Sequence, residues 1–189
     1  MKKALFLIGL VVVVLTVNAQ TYNVNTSKSD LKWTGKKVGG EHWGKIALKD
    51  GTVTLKSNKI VSGKFVIDMK SITVGDLAAG EWNDKLVGHL KSDDFFGVEK
   101  YPESVLELTS STPLKDGKAK VKGKLTIKGI TNPVEFDAVQ DGLTVSAQVT
   151  VDRSKYNVRY GSGKFFDNLG DKTIYDNFTI DVKLVADNK

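Results

Sequence analysis

The sequence contains no cysteine and only two histidines among its 189 residues. The absence of cysteine excludes disulfides and excludes a lipid anchored to a cysteine behind an N-terminal leader. The two histidines, His42 and His89, are too few for a three-histidine metal site without help from carboxylates. We therefore expect neither a metal centre nor a cofactor.

Long apolar runs are also scarce. Lys2 and Lys3 precede the 14 mainly apolar residues 4–17, whereas a membrane-spanning helix needs about 20. The following Val17-Asn18-Ala19 has the small and short residues of a cleavage site. The sequence predicts a cleaved signal peptide over 1–19, one domain over 20–189, and no stable membrane insertion. Export without cysteine suggests a bacterial envelope protein, periplasmic or secreted.

The excess of positive charge is modest. The formal net charge is +6, of which Lys2 and Lys3 contribute two. One strand carries a row of lysines, but Glu135 and Asp137 face outward on the next strand, where they can pair with the row. We expect a solvated, charge-paired surface and no nucleic-acid partner. The lysines of the row are Lys118, Lys120, Lys122, Lys124 and Lys128.

Residues 118–151 alternate between apolar and polar positions almost without interruption. Because successive side chains of a strand point to opposite faces, this period of two indicates strands with one buried face. Three such strands joined by short turns form a meander. The sequence therefore predicts an all-β fold, an antiparallel up-and-down barrel of about eight to nine strands. The final strand contains the alternating Phe178, Ile180, Val182 and Leu184.

Asp-Gly, a strong hairpin signal, occurs three times between alternating runs. A two-residue turn at Asp50-Gly51 would place Leu48 opposite Val53. A turn at Asp116-Gly117 would place Leu108 opposite Leu125 and Leu114 opposite Ala119. A turn at Asp141-Gly142 would place Ala138 opposite Val145 and Phe136 opposite Ala147. Each register pairs apolar with apolar positions, as a sheet with one buried face requires.

One segment has a helical pattern. Trp82, Leu86 and Leu90 stand four residues apart between about Glu81 and Lys91, which predicts a short helix between two strand groups, over a barrel end or open edge. A second irregular segment, residues 152–172, is rich in aromatic residues, arginine and glycine. Long ordered segments of this kind are often functional, although a purely packing role is equally compatible with the sequence.

The interior of the predicted barrel is either filled by side chains or open to a ligand. Five inward positions in neighbouring strands are small, which favours a cavity over a close-packed core. The alternative is that small residues face large ones across the barrel. The five small residues are Gly63, Ala119, Gly123, Ala138 and Ala147.

Signals of catalysis are weak. Gly161-Ser162-Gly163-Lys164 lacks the first glycine and the final serine or threonine of a phosphate-binding loop, so we reject that interpretation. We predict no catalytic residues. An enzyme that uses His42 or His89 as a general base is the first alternative, and a filled-barrel stress or interaction protein is the second.

Four segments together resemble the YceI-like family. They are His89–Phe96 with Tyr101-Pro102-Glu103, Val121–Val134, Gly63–Ile72 and Asp152-Arg153-Ser154. They occur in the family's order, and the resemblance covers nearly all of residues 22–186. One departure is Asn157, where the family often has glycine, although asparagine also adopts a positive φ.

The resemblance implies a lipocalin-like barrel whose lumen holds long amphiphiles such as polyisoprenoids or fatty-acyl molecules. We therefore expect a non-catalytic binding or carrier protein that sequesters or transports an amphipathic lipid; the sequence leaves a homodimer open. We assign Arg153 and Arg159, which lie in the aromatic segment, to a phosphate-like head group at the mouth. Surface pairing with Asp152 or Asp167 is the alternative for both. The expected lumen residues are Trp33, Phe65, Ile67, Leu125, Ile127, Phe136 and Val145, with Phe95 and Phe96 at the mouth or in a satellite core.

Overall fold

A computed structural model describes residues 18–187, and the predicted signal peptide lies outside this range except for Asn18 and Ala19. The described residues form ten strands and one α-helix, together with three short 3₁₀ turns. The strands are β1 (Gln20–Asn23), β2 (Asp30–Lys37), β3 (Gly40–Lys45), β4 (Ala47–Lys56), β5 (Lys59–Asp68), β6 (Glu103–Ser111), β7 (Lys118–Ile127), β8 (Ile130–Asp141), β9 (Thr144–Asp152) and β10 (Ile174–Val185). The helix α1 (Glu81–Lys91) lies between β5 and β6.

All ten strands belong to one antiparallel sheet in the order β1-β4-β5-β6-β7-β8-β9-β10-β2-β3. The sheet curls into a half-barrel, and a few backbone hydrogen bonds connect its two sides. The Asn25 N–H donates to the Val185 carbonyl at 2.8 Å, the Asp187 N–H donates to the Asn23 carbonyl at 2.9 Å, and the Ile46 N–H donates to the Leu31 carbonyl at 3.1 Å. The predicted all-β, lipocalin-like fold is confirmed. The strand count is slightly higher than predicted.

The first predicted hairpin is wrong. Asp50 and Gly51 lie inside β4, which runs through them and pairs with β5, so that Leu48 faces Ile67. A bulge between Leu48 and Asp50 lets Leu48 and Gly51 both point inward although they are three residues apart. Gly51 fits there because a Cβ would lie 3.1 Å from both Phe65 and Val24. Asp-Gly here marks a bulge and a close approach rather than a turn.

The second and third hairpins are confirmed as connections, but their registers are shifted by two residues. Asp116 and Gly117 have φ values of 51° and 74°, as a tight turn of this type requires. Beyond the turn, irregular pairing moves Leu108 from Leu125 to Gly123. The β8–β9 turn falls one residue later than predicted, so Ala138 faces Ala147. Because both shifts are even, the apolar faces still point inward.

The outward lysine row forms the charge-paired wall that the sequence predicts. Lys120 Nζ lies 3.2 Å from the Asp137 carboxylate, and Lys122 Nζ lies 3.4 Å from the Glu135 carboxylate. Lys128 differs from the others, because it sits in the β7–β8 turn with a φ of 50°. Its ammonium donates to the backbone carbonyls of Asp93 and Phe95 at 3.1 and 2.8 Å, and so anchors the segment after α1.

Helix α1 has the predicted bounds, but its apolar stripe is shorter than predicted. Leu90 is buried and Leu86 is half-buried against the core. Trp82 is 74% exposed, and Lys85 Nζ lies 4.9 Å from its ring centroid. Trp82 therefore does not face the interior, whereas Leu86 and Leu90 do.

Candidate functional site

A cavity of about 190 Å³ lies inside the half-barrel at the end covered by α1. Strands β2, β3, β5, β6, β7, β9 and β10 contribute to its walls, and α1 with the segment after it supplies one side. The wall is apolar apart from a few positions towards the rim and the side chains of His89, Ser104 and Arg153. The apolar side chains include Leu31, Trp33, Ile67, Met69, Phe95, Phe96, Leu125, Ile127, Val149, Val151, Phe178, Ile180 and Val182.

The structure brings six of the nine predicted lumen residues to this cavity and leaves three outside it. The six are Trp33, Ile67, Phe95, Phe96, Leu125 and Ile127. Phe65 is buried instead against Gly51, while Phe136 and Val145 pack against the core on strands β8 and β9. The expected place of these three on the cavity wall is wrong. Ligand contact by the other six stays a prediction.

The small inward residues do not mark the cavity. None of the five lies on its wall, and leucine side chains occupy the space above the two glycines. A Cβ on Gly63 would lie 3.1 Å from Leu108, and one on Gly123 would lie 3.3 Å from Leu106 and 2.7 Å from the Glu107 carbonyl. Both interpretations of the interior therefore hold in part: one end is packed and the other contains the cavity.

A cross-over segment, residues 72–76, closes the side of the cavity next to β3. The Trp33 indole N–H donates to the Thr73 carbonyl at 2.9 Å, and the Gly75 N–H donates to the Trp43 carbonyl at 2.7 Å. Asp76 ends the segment, where its carboxylate accepts from the Trp43 N–H at 2.9 Å and lies 2.7 Å from His42 Nδ1. These hydrogen bonds hold His42 in place at the rim of the cavity.

Partial burial raises the pKa of Asp76, but the hydrogen bonds from Trp43 and His42 outweigh it and hold this pKa below its ordinary value. The resulting stabilisation is fully present above the unfolded-state pKa of about 3.9 and is lost as the pH falls through the lower folded-state value. At pH 7 we expect Asp76→Asn to lower the free energy of unfolding by about 1 kcal/mol.

Urea unfolding at pH 7, 5 and 3 measures this effect. The difference between wild type and Asp76→Asn should be constant from pH 7 to 5 and should shrink below about pH 4. Asp30→Asn is the control, since Asp30 forms an exposed pair with Lys45 that contributes about 0–1 kcal/mol. A difference that grows on acidification would contradict the assignment.

His89 projects from α1 into the cavity wall. Its ring meets Tyr160 edge-on at 4.3 Å and Phe95 at 5.6 Å between centroids. Its Nε2 is buried without a hydrogen-bond partner, and so is the hydroxyl of Ser104 on β6. Within residues 18–187, only His42 has a carboxylate partner, and neither histidine ring is hydrogen-bonded to a hydroxyl group.

Arg153 does not lie at an exposed mouth. Its side chain is 2% exposed, and it donates to the carbonyls of Val158, Tyr160, Ile174 and Tyr175 at 2.8–3.2 Å. Its carboxylate partner is Asp176 at 3.6 Å, rather than Asp152 or Asp167. Burial lowers the pKa of Arg153, and Asp176 opposes that effect. Arg153 therefore connects the two ends of the 157–175 segment. Few of its N–H groups remain free to bind a head group.

Arg159 is exposed, with its guanidinium 5.0 Å from the Phe165 ring centroid. Its Nε donates to the side chain of Asn157, which has a φ of 59°. Asparagine therefore adopts the positive φ that the sequence allowed. A head-group role for Arg159 stays a prediction, since it does not line the cavity.

Sequence reasoning missed several residues on the cavity wall. Ser104 and Ile72 are two of them, and neither was named among the expected lumen residues. Phe178, Ile180 and Val182 were recognised as an alternating strand, and that alternation alone could have placed them inside. The polar rim of Lys36, Lys37 and Tyr175 has no distinctive sequence pattern.

Residues 18–187 contain no group of three His, Asp or Glu side chains able to hold a metal ion. In the same range, no helix combines the length and apolar character needed to cross a bilayer.

Several bacterial proteins are similar to this chain in sequence. A UPF0312 protein of Staphylococcus aureus is 39% identical over 89 residues, which are 41% of this chain and 49% of that protein. A UPF0312 protein of Pseudomonas putida is 36% identical over 93 residues, 49% of this chain and 46% of that protein. The chain thus matches about half the length of these relatives. One from Vibrio campbellii is 29% identical over 145 residues, 73% and 74% of the two chains.

Solved structures share the fold. BcnA of Burkholderia cenocepacia has a TM-score of 0.69 at 26% identity, covering 87% of this chain and 99% of that one. A polyisoprenoid-binding domain from Saccharophagus degradans has a TM-score of 0.64 at 15% identity, covering 89% and 98%. The model of the YceI-like domain matches residues 22–186. The chain therefore belongs to the YceI-like domain family.

Proposed function

We propose that this protein binds one amphipathic lipid, of polyisoprenoid or fatty-acyl type, in the cavity under α1 and carries it without changing it chemically. The observation that supports the proposal best is a mainly apolar cavity walled by seven strands and a helix. Apolar cavities of this size stay dry and accept apolar guests. The similar domain from Saccharophagus degradans is described as polyisoprenoid-binding.

The cavity is smaller than the ligand that we propose. Its volume of about 190 Å³ lies below the roughly 300–1,000 Å³ of pockets for drug-sized ligands. A long chain would therefore have to displace wall side chains, such as those of the segment from α1 through Phe95 and Phe96, which lies outside the sheet. Burial of the chain would gain roughly 25 cal/mol per Å² of apolar surface.

A substitution that fills the cavity tests the site. Val149 lines the cavity, whereas the neighbouring Thr150 is exposed on the opposite face of β9. We expect Val149→Phe to weaken lipid binding at least tenfold, since the larger ring occupies the space, and Thr150→Phe to leave it unchanged. Native mass spectrometry and lipid extraction of the purified proteins measure bound lipid, and thermal unfolding shows that both variants are folded.

Equal amounts of bound lipid in Val149→Phe and wild type would place the binding site elsewhere. Recovery of no stoichiometric amphiphile, with no binding of isoprenoid or fatty-acyl probes, would refute the carrier function itself. We further propose that the protein acts in the periplasm or outside the cell, as the signal-peptide pattern of residues 1–19 suggests. Fractionation of cells that express the full chain tests this location.

The paired His42 and Asp76 at the rim support a second candidate, an enzyme that acts on the bound lipid. A carboxylate that orients a histidine is a common arrangement for a general base. This candidate requires His42→Gln to abolish turnover of a lipid ester or phosphate while binding persists. Unchanged lipid recovered after incubation with excess wild-type protein would refute it.

A further inference from the structure

The cavity contains two polar atoms that no group within residues 18–187 satisfies. Ser104 is 4% exposed and its hydroxyl has no hydrogen-bond partner. His89 Nε2 is buried and equally unpartnered. Both residues line the same, mainly apolar, cavity, whose buried arginine, Arg153, already has partners within the protein. A buried polar group without a partner costs about 1–3 kcal/mol, and native proteins retain few of them. Something other than protein is therefore expected to meet these two atoms.

Ser104 lies near the start of β6, at the end of the barrel that α1 covers. It stands opposite Ile67 on β5, and the register of β6 with β7 sets it beside Ile127. Those two neighbours are both on the cavity wall. The hydroxyl is thus surrounded by the apolar side chains that would contact a lipid chain.

The cationic groups near the cavity are already engaged. Arg153 donates to four backbone carbonyls, and the Lys128 ammonium donates to two. Lys36 and Lys37 contribute to the wall only at the exposed rim. A phosphate or carboxylate brought to Ser104 would lose its hydration without gaining a counter-ion, which is costly. An uncharged oxygen group loses much less hydration free energy when it is buried.

We propose that the ligand carries an uncharged oxygen group, a hydroxyl or a carbonyl, which lies inside the barrel between Ser104 Oγ and His89 Nε2. The Ser104 hydroxyl donates to that oxygen, and His89 Nε2 accepts from a hydroxyl or donates to a carbonyl, according to which ring nitrogen holds the proton. This inference rests on the proposed lipid-binding function and specifies the chemical class of the ligand. It differs from a head group held at the mouth by arginine.

Three probes with the same C20 isoprenoid chain test the proposal: geranylgeraniol, geranylgeranyl phosphate and the corresponding hydrocarbon. Delipidated full-length protein is titrated with each, and the fluorescence of Trp33, which lines the cavity, reports binding. We expect wild type to bind the alcohol about tenfold more tightly than the hydrocarbon, as one buried hydrogen bond allows. Ser104→Ala should remove most of this preference and leave hydrocarbon affinity unchanged.

His89→Phe, which keeps an aromatic ring, should reduce the same preference. Ser110→Ala, exposed on the same strand, is the matched control and should behave as wild type. A preference for the alcohol that survives in both Ser104→Ala and His89→Phe would overturn the inference, and so would equal binding of all three probes by wild type. Those results leave the carrier function intact, whereas failure of every probe to bind would refute both.

Discussion

Gly44→Ala should destabilise the protein by about 3 kcal/mol or more, one of the two largest effects that we expect. Gly44 lies in β3 directly beneath the cross-over segment, residues 72–76. A Cβ at this position would lie 1.8 Å from the Thr73 carbonyl oxygen and 2.8 Å from the Trp33 indole nitrogen. These two atoms form the hydrogen bond that connects the segment to β2. The added methyl group must therefore push the segment off the sheet.

Gly40→Ala provides the control, because Gly40 begins the same strand and a Cβ there meets nothing within 4 Å. Its effect should stay within about 0.5 kcal/mol. Urea unfolding followed by tryptophan fluorescence measures both variants. If Gly44→Ala unfolds at the same urea concentration as Gly40→Ala, then the close contact between β3 and the cross-over segment is not a feature of the folded protein.

Replacement of Arg153 by methionine should cost about 3–5 kcal/mol. Methionine has a similar length but no donors, so four carbonyl groups lose their partner and the Asp176 carboxylate loses its buried cation. The 157–175 segment should then become sensitive to proteolysis while the strands persist. Chemical unfolding gives the free energy, and limited trypsin digestion with mass spectrometry locates the cleavage.

Arg159→Met is the matched control, since Arg159 is an exposed arginine in the same segment. It should change the free energy of unfolding by no more than about 0.5 kcal/mol. In Arg153→Met/Asp176→Asn the unpaired carboxylate is also removed, so part of the lost stability should return. Equal stability of Arg153→Met and Arg159→Met would show that Arg153 is not the residue that connects this segment.

The alternation of apolar and polar residues predicted the fold class well, because the side chains of a strand alternate between the two faces of the sheet whatever the register of that strand with its neighbours. It predicted the register less well. Leu108 was expected opposite Leu125 but pairs with Gly123, since irregular pairing near the turn adds a shift of two. The same dipeptide forms a turn at Asp116-Gly117 and a bulge at Asp50-Gly51. Only the neighbouring strands decide between these outcomes.

The site was predicted in part. Isoleucine and leucine at inward positions of β5 and β7 reach the cavity, as expected, but small side chains did not show where the empty space lies. Whether a small residue leaves empty space depends on the size of the side chains on the neighbouring strands. Here Leu108 fills the space above Gly63, and Leu106 fills the space above Gly123. Arg153 was assigned to a phosphate-like head group at the mouth, but its side chain is buried. Its burial depends on four carbonyls that the sequence does not reveal.

The position of β10 between β9 and β2 has a consequence for the order of folding. Strands β2 and β3 pair with the rest of the sheet through the last strand, in pairs such as Trp33 with Ile180 that are nearly 150 residues apart in the chain. Contacts of such long range are slow to form. Strands β4–β9 can assemble as each hairpin is synthesised, but the cavity does not exist until β10 is available. A chain whose synthesis stops before β10 should therefore form most of the sheet but no binding site.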